Sequence, residues 1–247
     1  MWLPGISPWV RAFTLACAVG SATKGVGAPA EASRVLFLGD SLSIGYFGFA
    51  VDQTLRARPD LELWSVLACG SHPWSWIRTT GPGKTTCGYF EKRDGREDRA
   101  EYNPLVKRAP LRAIPKLEAM LKEFRPRLVI LQQGSNFLEG LQAGDAKNMA
   151  RAIAQLRDEV LGDPRKPVRR CLWVLPPDAR RFGKELQQRL YDLVAANAKG
   201  CVLFDSRTVT AYPATGGDGE HYESRATADM MRLWAREVVA EALRLLR

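Results

Sequence analysis

Histidine is the scarcest chemistry-bearing residue in this chain. Only two occur among 247 residues, His72 and His221, and they stand far apart. None of the five cysteines forms a C-x-x-C pair, so the residue pattern argues against a structural zinc, and no metal is expected. No apolar run is long enough to cross a bilayer, which argues against an integral membrane protein. There is no G-x-S-x-G, so a nucleophile elbow of the α/β-hydrolase kind is not supported. Gly81-Pro82-Gly83-Lys84-Thr85 holds half of a phosphate loop, but Arg78 stands where the first glycine is required and no strand leads in. Repeats, low-complexity segments and RNA-binding signatures are also missing. Neither a nucleic-acid partner nor an organic cofactor is expected.

What is present is an ordinary globular composition, 46% hydrophobic and 26% charged, long enough for one large α/β domain. The formal charge is +9. Residues 1–30 contribute Arg11 and Lys24 and no acid, so subtracting these two leaves +7 on the remainder, a bias toward anionic surfaces. Arg11 precedes the small, apolar run Ala12 to Gly20, and Ala28-Pro29-Ala30 offers a cleavage site. Residues 1–30 therefore read as an export signal, with a disordered extension as the alternative. Cys17 follows Thr14-Leu15-Ala16, a poor lipoprotein context, and no lipid anchor is expected. Export to the periplasm or beyond permits disulfides among Cys69, Cys87, Cys171 and Cys201. Cys171 and Cys201 each open a strand-like run. Adjacent parallel strands lie about 4.8 Å apart, which would put that pair within bonding reach. Cys69 with Cys87 would then staple the intervening loop. Four buried thiols remain the other reading.

From Arg34 onward, short apolar runs alternate with helical patterns. Strands are expected at Val35 to Leu38, Leu61 to Leu67, Arg127 to Leu131, Cys171 to Leu175 and Cys201 to Asp205. Helices are expected at about 47–58, 111–124 (with Pro115 in its first turn), 145–161, 184–198 and 225–246. Five such strands with intervening helices imply a parallel five-stranded sheet in a three-layer α/β/α, flavodoxin-like fold. Residues 31–247 read as a single domain with an irregular insertion at about 71–109, and the protein is expected to be a monomer.

In a parallel sheet, loops at the carboxyl ends of the strands share one edge, where ligands bind. Ser41 follows the first strand, Gly70 the second and Asn136 the third; Asp218 and His221 follow the fifth. A serine needs an imidazole to take its proton, and the imidazole needs a carboxylate to hold its tautomer. Asp218, three residues before His221, supplies it. The Ser41 and Gly70 amides and the Asn136 side chain supply three donors for a developing oxyanion. Without those partners, Ser41 would be read as a helix cap.

These blocks, Gly39-Asp40-Ser41-Leu42-Ser43-Ile44-Gly45-Tyr46, Gly70, Gly134-Ser135-Asn136-Phe137 and Asp218-Gly219-Glu220-His221, resemble those of the SGNH, or GDSL, hydrolase superfamily, in family order. The resemblance implies the catalytic residues Ser41, Asp218 and His221 and an oxyanion hole of Ser41, Gly70 and Asn136. Two departures stand out. Phe137 replaces the aspartate usual after the block-three asparagine, and the surroundings of Gly70 are atypical.

The insertion offers Trp74, Trp76, Tyr89 and Phe90 among Arg78, Lys84, Lys92 and Arg93, beside His72. Two readings stay open. His72, Trp74 and Trp76 bind substrate, for instance by stacking sugar rings, or the aromatics form a small core and His72 braces the loop. The expectation is an exported serine esterase acting on a small or polymeric ester, with O-acetyl groups on envelope or extracellular carbohydrate favoured. A thioesterase or lysophospholipase is the enzymatic alternative. An acyltransferase and a non-catalytic carbohydrate-binding protein also stay open.

Overall fold

Val35, Leu36, Phe37 and Leu38 are all fully buried, and their side chains alternate between two cores. Val35 and Phe37 enter one, Leu36 and Leu38 the other, as the period of two along a strand dictates. A strand without a polar face must be covered on both sides. The computed structural model shows how; it describes residues 32–77, 83–85, 87–94, 99–100, 112–163, 169–222 and 224–247. Residues 1–30, for which an export signal is expected from the sequence, Arg78, and insertion residues 79–82, 86, 95–98 and 101–111 lie outside the described residues.

In chain order the elements are β1 (Ser33–Gly39), α1 (Tyr46–Arg56), β2 (Leu61–Ala68), α2 (Pro73–Ile77), β3 (Gly83–Thr85), β4 (Tyr89–Arg93), β5 (Arg99–Ala100) and β6 (Arg112–Ile114). There follow α3 (Leu117–Phe124), β7 (Leu128–Gln132), α4 (Leu138–Gln142), α5 (Ala146–Leu161), β8 (Arg170–Val174), α6 (Lys184–Asn197), β9 (Val202–Phe204) and α7 (Ala228–Leu246). The central sheet runs β5-β4-β2-β1-β7-β8-β9. Its five parallel strands, β2-β1-β7-β8-β9, are the five expected from the sequence, in flavodoxin-like order. The insertion extends them with two antiparallel strands, β4 against β2 and β5 against β4.

Helices α1 and α7 cover one face, where Phe47 stacks on Trp234 with ring centroids 3.5 Å apart. Buried residues of α2, α3, α4, α5 and α6 cover the other, against Trp64, Val129, Leu131 and Trp173. The described residues belong to one unit, Glu31–Arg247. No helix among them is long and apolar enough to cross a membrane.

Both cysteine pairs are bonded, Cys69 to Cys87 and Cys171 to Cys201. The second joins β8 to the residue before β9, in step with the Leu172–Val202 register, at a Cα separation of 4.6 Å. The helix expected from 111 starts later. Arg112–Ile114 pairs with Gly83–Thr85 instead, because Pro115 pushes the residue before it into extended geometry. Lys116, at φ −70° and ψ 134°, then caps α3. Lys84 and Thr85 of the half phosphate loop lie in this strand pair, with the Thr85 hydroxyl on the Cys69 and Gly88 carbonyls.

Candidate active site

The strand β1 ends at Gly39, where a Cβ would come within 2.3 Å of Ser43 Oγ. Asp40 follows and caps a single 3₁₀ turn, Ser41–Ser43: its Oδ1 accepts from Leu42 N at 2.9 Å. The cap is thus Asp40 and not Ser41, which leaves the Ser41 hydroxyl unused by the backbone. Oγ of Ser41 stands 3.0 Å from His221 Nε2. On the other side of the ring, Nδ1 is 2.6 Å from Asp218 Oδ2. A hydroxyl and an imidazole 180 residues apart are therefore neighbours.

Asp218 is held by its own loop. Its Oδ1 accepts from Glu220 N and His221 N, both at 2.8 Å, and lies 3.3 Å from Tyr212 Oη. Tyr212 Oη also accepts from Gly219 N at 3.0 Å and reaches the His221 carbonyl at 3.2 Å. Partial burial pushes the Asp218 carboxyl up, but the His221 and Glu220 amides and the imidazole outweigh it and bring its pKa down to about 2. The carboxylate stays ionised throughout the working range of a histidine.

Gly70 is the third residue of a turn closed by Ser71 N to the Ala68 carbonyl at 3.0 Å, with φ +72°. Cys69 before it has negative φ, so the turn is type II and its third position favours glycine. Asn136 lies in a second 3₁₀ turn, Ser135–Phe137, exposed, and donates one Nδ2 hydrogen to the Ser71 carbonyl at 2.9 Å. The other hydrogen of that amide is left to point elsewhere.

Three residues that the sequence did not single out bind these loops together. The Ser71 hydroxyl donates to Gly39 O and accepts from Gln133 Nε2, each at 3.2 Å. Ser135 Oγ donates to Asp40 Oδ2 at 2.9 Å. Tyr212 braces the Asp218–His221 loop as described. Isolated serines and tyrosines in loops carry no periodic signal, so only the coordinates reveal them. Asp40 itself is fully buried; desolvation lifts its pKa to about 7, against the pull of the Leu42 and Ser135 hydrogen bonds.

The insertion residues divide. Trp76 is fully buried in the larger core and lines no surface, which corrects its assignment to substrate binding. It sits on the inward side of α2, a single short helix that packs on the sheet. Tyr89 and Phe90 are buried for the same reason, as β4 residues against β2. Trp74 is half-buried and packs against that core. His72 is half-buried, its backbone N–H on Ser75 Oγ at 3.1 Å and its ring centroid 6.0 Å from that of Phe137. It flanks the Asn136 turn. Among the described residues, no group of three or more His, Cys, Asp or Glu side chains is arranged to hold a metal ion.

Comparison with solved structures places this architecture. The native aryl esterase of M. smegmatis superposes with a TM-score of 0.55 at 18% identity, over 87% of this chain and 100% of that one. A carbohydrate acetylesterase family member from Sinorhizobium meliloti gives 0.54 at 17%, over 87% and 99%. The chain has the SGNH hydrolase fold. No protein-family profile and no curated protein sequence matches it. In SGNH terms, the Ser41, Gly70 and Asn136 loops stand at the carboxyl ends of the first three parallel strands in chain order, and the Asp218–His221 loop follows the fifth.

Proposed function

We propose that this chain is an exported serine esterase that cleaves carboxylic esters through an acyl-enzyme. The observation that carries this is the continuous chain of contacts from Ser41 Oγ through His221 to Asp218, 3.0 Å and 2.6 Å long. His221 Nε2 takes the Ser41 proton as Oγ attacks the ester carbonyl, and Asp218 accepts the Nδ1 hydrogen and fixes the tautomer. The Ser41 and Gly70 amides and the free Asn136 Nδ2 hydrogen receive the oxyanion. His221 then protonates the departing alcohol. Water, activated by the same imidazole, attacks the acyl-serine and releases the acid. Every proton in the cycle moves through one ring, and no metal or organic cofactor is needed.

The substrate class favoured is an O-acetyl ester on envelope or extracellular carbohydrate. The fold it shares with a carbohydrate acetylesterase, the net positive charge and the two disulfides, compatible with an oxidising compartment, support this. With Trp76 buried, Trp74 and His72 are the remaining side chains of the original three that could touch a sugar.

The test is hydrolysis of a chromogenic acetyl ester. Ser41→Ala and His221→Ala are expected to lose about 10³-fold or more in kcat, whereas His72→Ala retains turnover. Glycan binding with no turnover in the wild type would instead identify a non-catalytic binding protein. A panel of acetylated glycans, acyl-thioesters and lysophospholipids then fixes the substrate, and preference for a long acyl chain would overturn the acetyl assignment.

A further inference from the structure

Two charged groups at the site have no part in the mechanism above: Glu220 and Arg181. Glu220 sits between Asp218 and His221, is only 7% exposed, and its Oε2 accepts from Arg181 Nη1 at 3.0 Å. Arg181 belongs to the loop after β8. Its backbone N–H donates to the Gly219 carbonyl at 2.9 Å, and its second guanidinium nitrogen pairs with Glu139 on α4, three residues beyond Asn136. The same loop grips the triad loop at further points. Tyr222 Oη donates to Asp178 O at 2.5 Å, Tyr212 N to Asp178 Oδ2 at 3.1 Å, and the Arg180 guanidinium to the Pro213 and Gly216 carbonyls at 3.0 and 2.7 Å.

The charges around His221 make this arrangement matter. From its own loop it faces Asp218 and Glu220; from the turn after β1 it faces Asp40. The phenol of Tyr212 lies behind it, and Arg181 approaches from the loop after β8. Each carboxylate favours the imidazolium, which cannot accept a proton from Ser41. Asp218 is indispensable for the tautomer, but a second charged, desolvated carboxylate next to the ring would hold His221 protonated to higher pH. The guanidinium offsets that charge while leaving Glu220 in place as a tie to the loop.

We propose that Arg181 is a positioning residue for the reaction, pairing with Glu220 so that the His221 loop is held in register while the ring stays neutral and ready to accept a proton near pH 7. This rests on the reading of His221 as the general base.

A charge ladder tests it. The acid limb of kcat/KM is measured for wild type, Arg181→Met, Glu220→Gln, the double variant and Arg181→Lys. In parallel, the His221 ring is titrated by NMR, where only two histidines give signals and His72→Gln identifies the other. Arg181→Met is expected to move the limb up and Glu220→Gln down, each by roughly half to one pH unit given the exposure of the guanidinium. The double variant returns to wild type, and Arg181→Lys stays near it. A limb and a ring titration unmoved in both single variants, with activity falling evenly across pH, would overturn the proposal. If Arg181→Met does not fold, Glu220→Gln decides alone. An inactive wild type counts against the esterase reading, and the ring titration still decides the ladder.

Discussion

Asp40, beside the proposed nucleophile, is a residue whose surroundings change its chemistry strongly. It is fully buried, and its pKa of about 7 exceeds its ordinary value of 3.8. A folded-state pKa above the unfolded one means that the native state binds the proton more tightly. The associated stability is fully present below pH 3.8 and is lost as pH rises toward 7. Asp40→Asn, which keeps an acceptor for Leu42 N, is expected to flatten that decline. Thermal melts from pH 4 to 8 should show the variant gaining on wild type by up to on the order of 3 kcal/mol at the upper end. Asp218 has the opposite sign: its depressed pKa of about 2 supplies stability above pH 3.8 that is lost as pH falls through 2. Asn136→Ala removes a single proposed donor and is expected to lower kcat by about 10²- to 10³-fold, measured with the same chromogenic ester.

At the scale of elements, the two disulfides do different work. Cys171–Cys201 closes a separation of 30 residues between β8 and the start of the edge strand β9, and Cys69–Cys87 closes 18 around the Gly70 turn. Loop-closure entropy assigns each roughly 3 to 4 kcal/mol. Cys171→Ser/Cys201→Ser is expected to lower denaturant stability by about that amount with unchanged kcat, because its ends lie away from the Ser41 loop. Cys69→Ser/Cys87→Ser should lower kcat as well, since Cys69 immediately precedes the proposed oxyanion donor and Thr85 holds its carbonyl at 2.8 Å. Equal kcat in both double variants would show that the Gly70 turn does not depend on its disulfide. The short elements were the hard ones to read. The five parallel strands announce themselves as apolar runs, whereas α2 and β3 to β6 are two to five residues long, too short for a period to register. Pro115 reads from the sequence as a first-turn residue of a helix from 111, and the strand before it takes its meaning from the partner at Gly83–Thr85.

For the whole molecule, the five-stranded parallel sheet decides where chemistry can occur, because its strand order carries the Ser41, Gly70, Asn136 and His221 loops to one edge. If residues 31–247 are a self-sufficient domain, a chain beginning at residue 31 is expected to keep the same Tm and the same kcat/KM as the full chain. A loss of several degrees would show that the first thirty residues contribute to the fold.

The sequence by itself determined the five strands, the glycine-closed turn that carries Ser41 and the D-x-x-H spacing, and it offered the two cysteine pairs beside a reading as buried thiols. These follow from local patterns: apolar runs, a glycine at a strand end, a carboxylate three residues from an imidazole. Tertiary structure alone decided that Trp76 is core, that Ser71 and Ser135 lace three loops together, and that Arg181 meets Glu220. A side chain's burial, and the partner of a charge, depend on segments tens of residues away that no local pattern encodes.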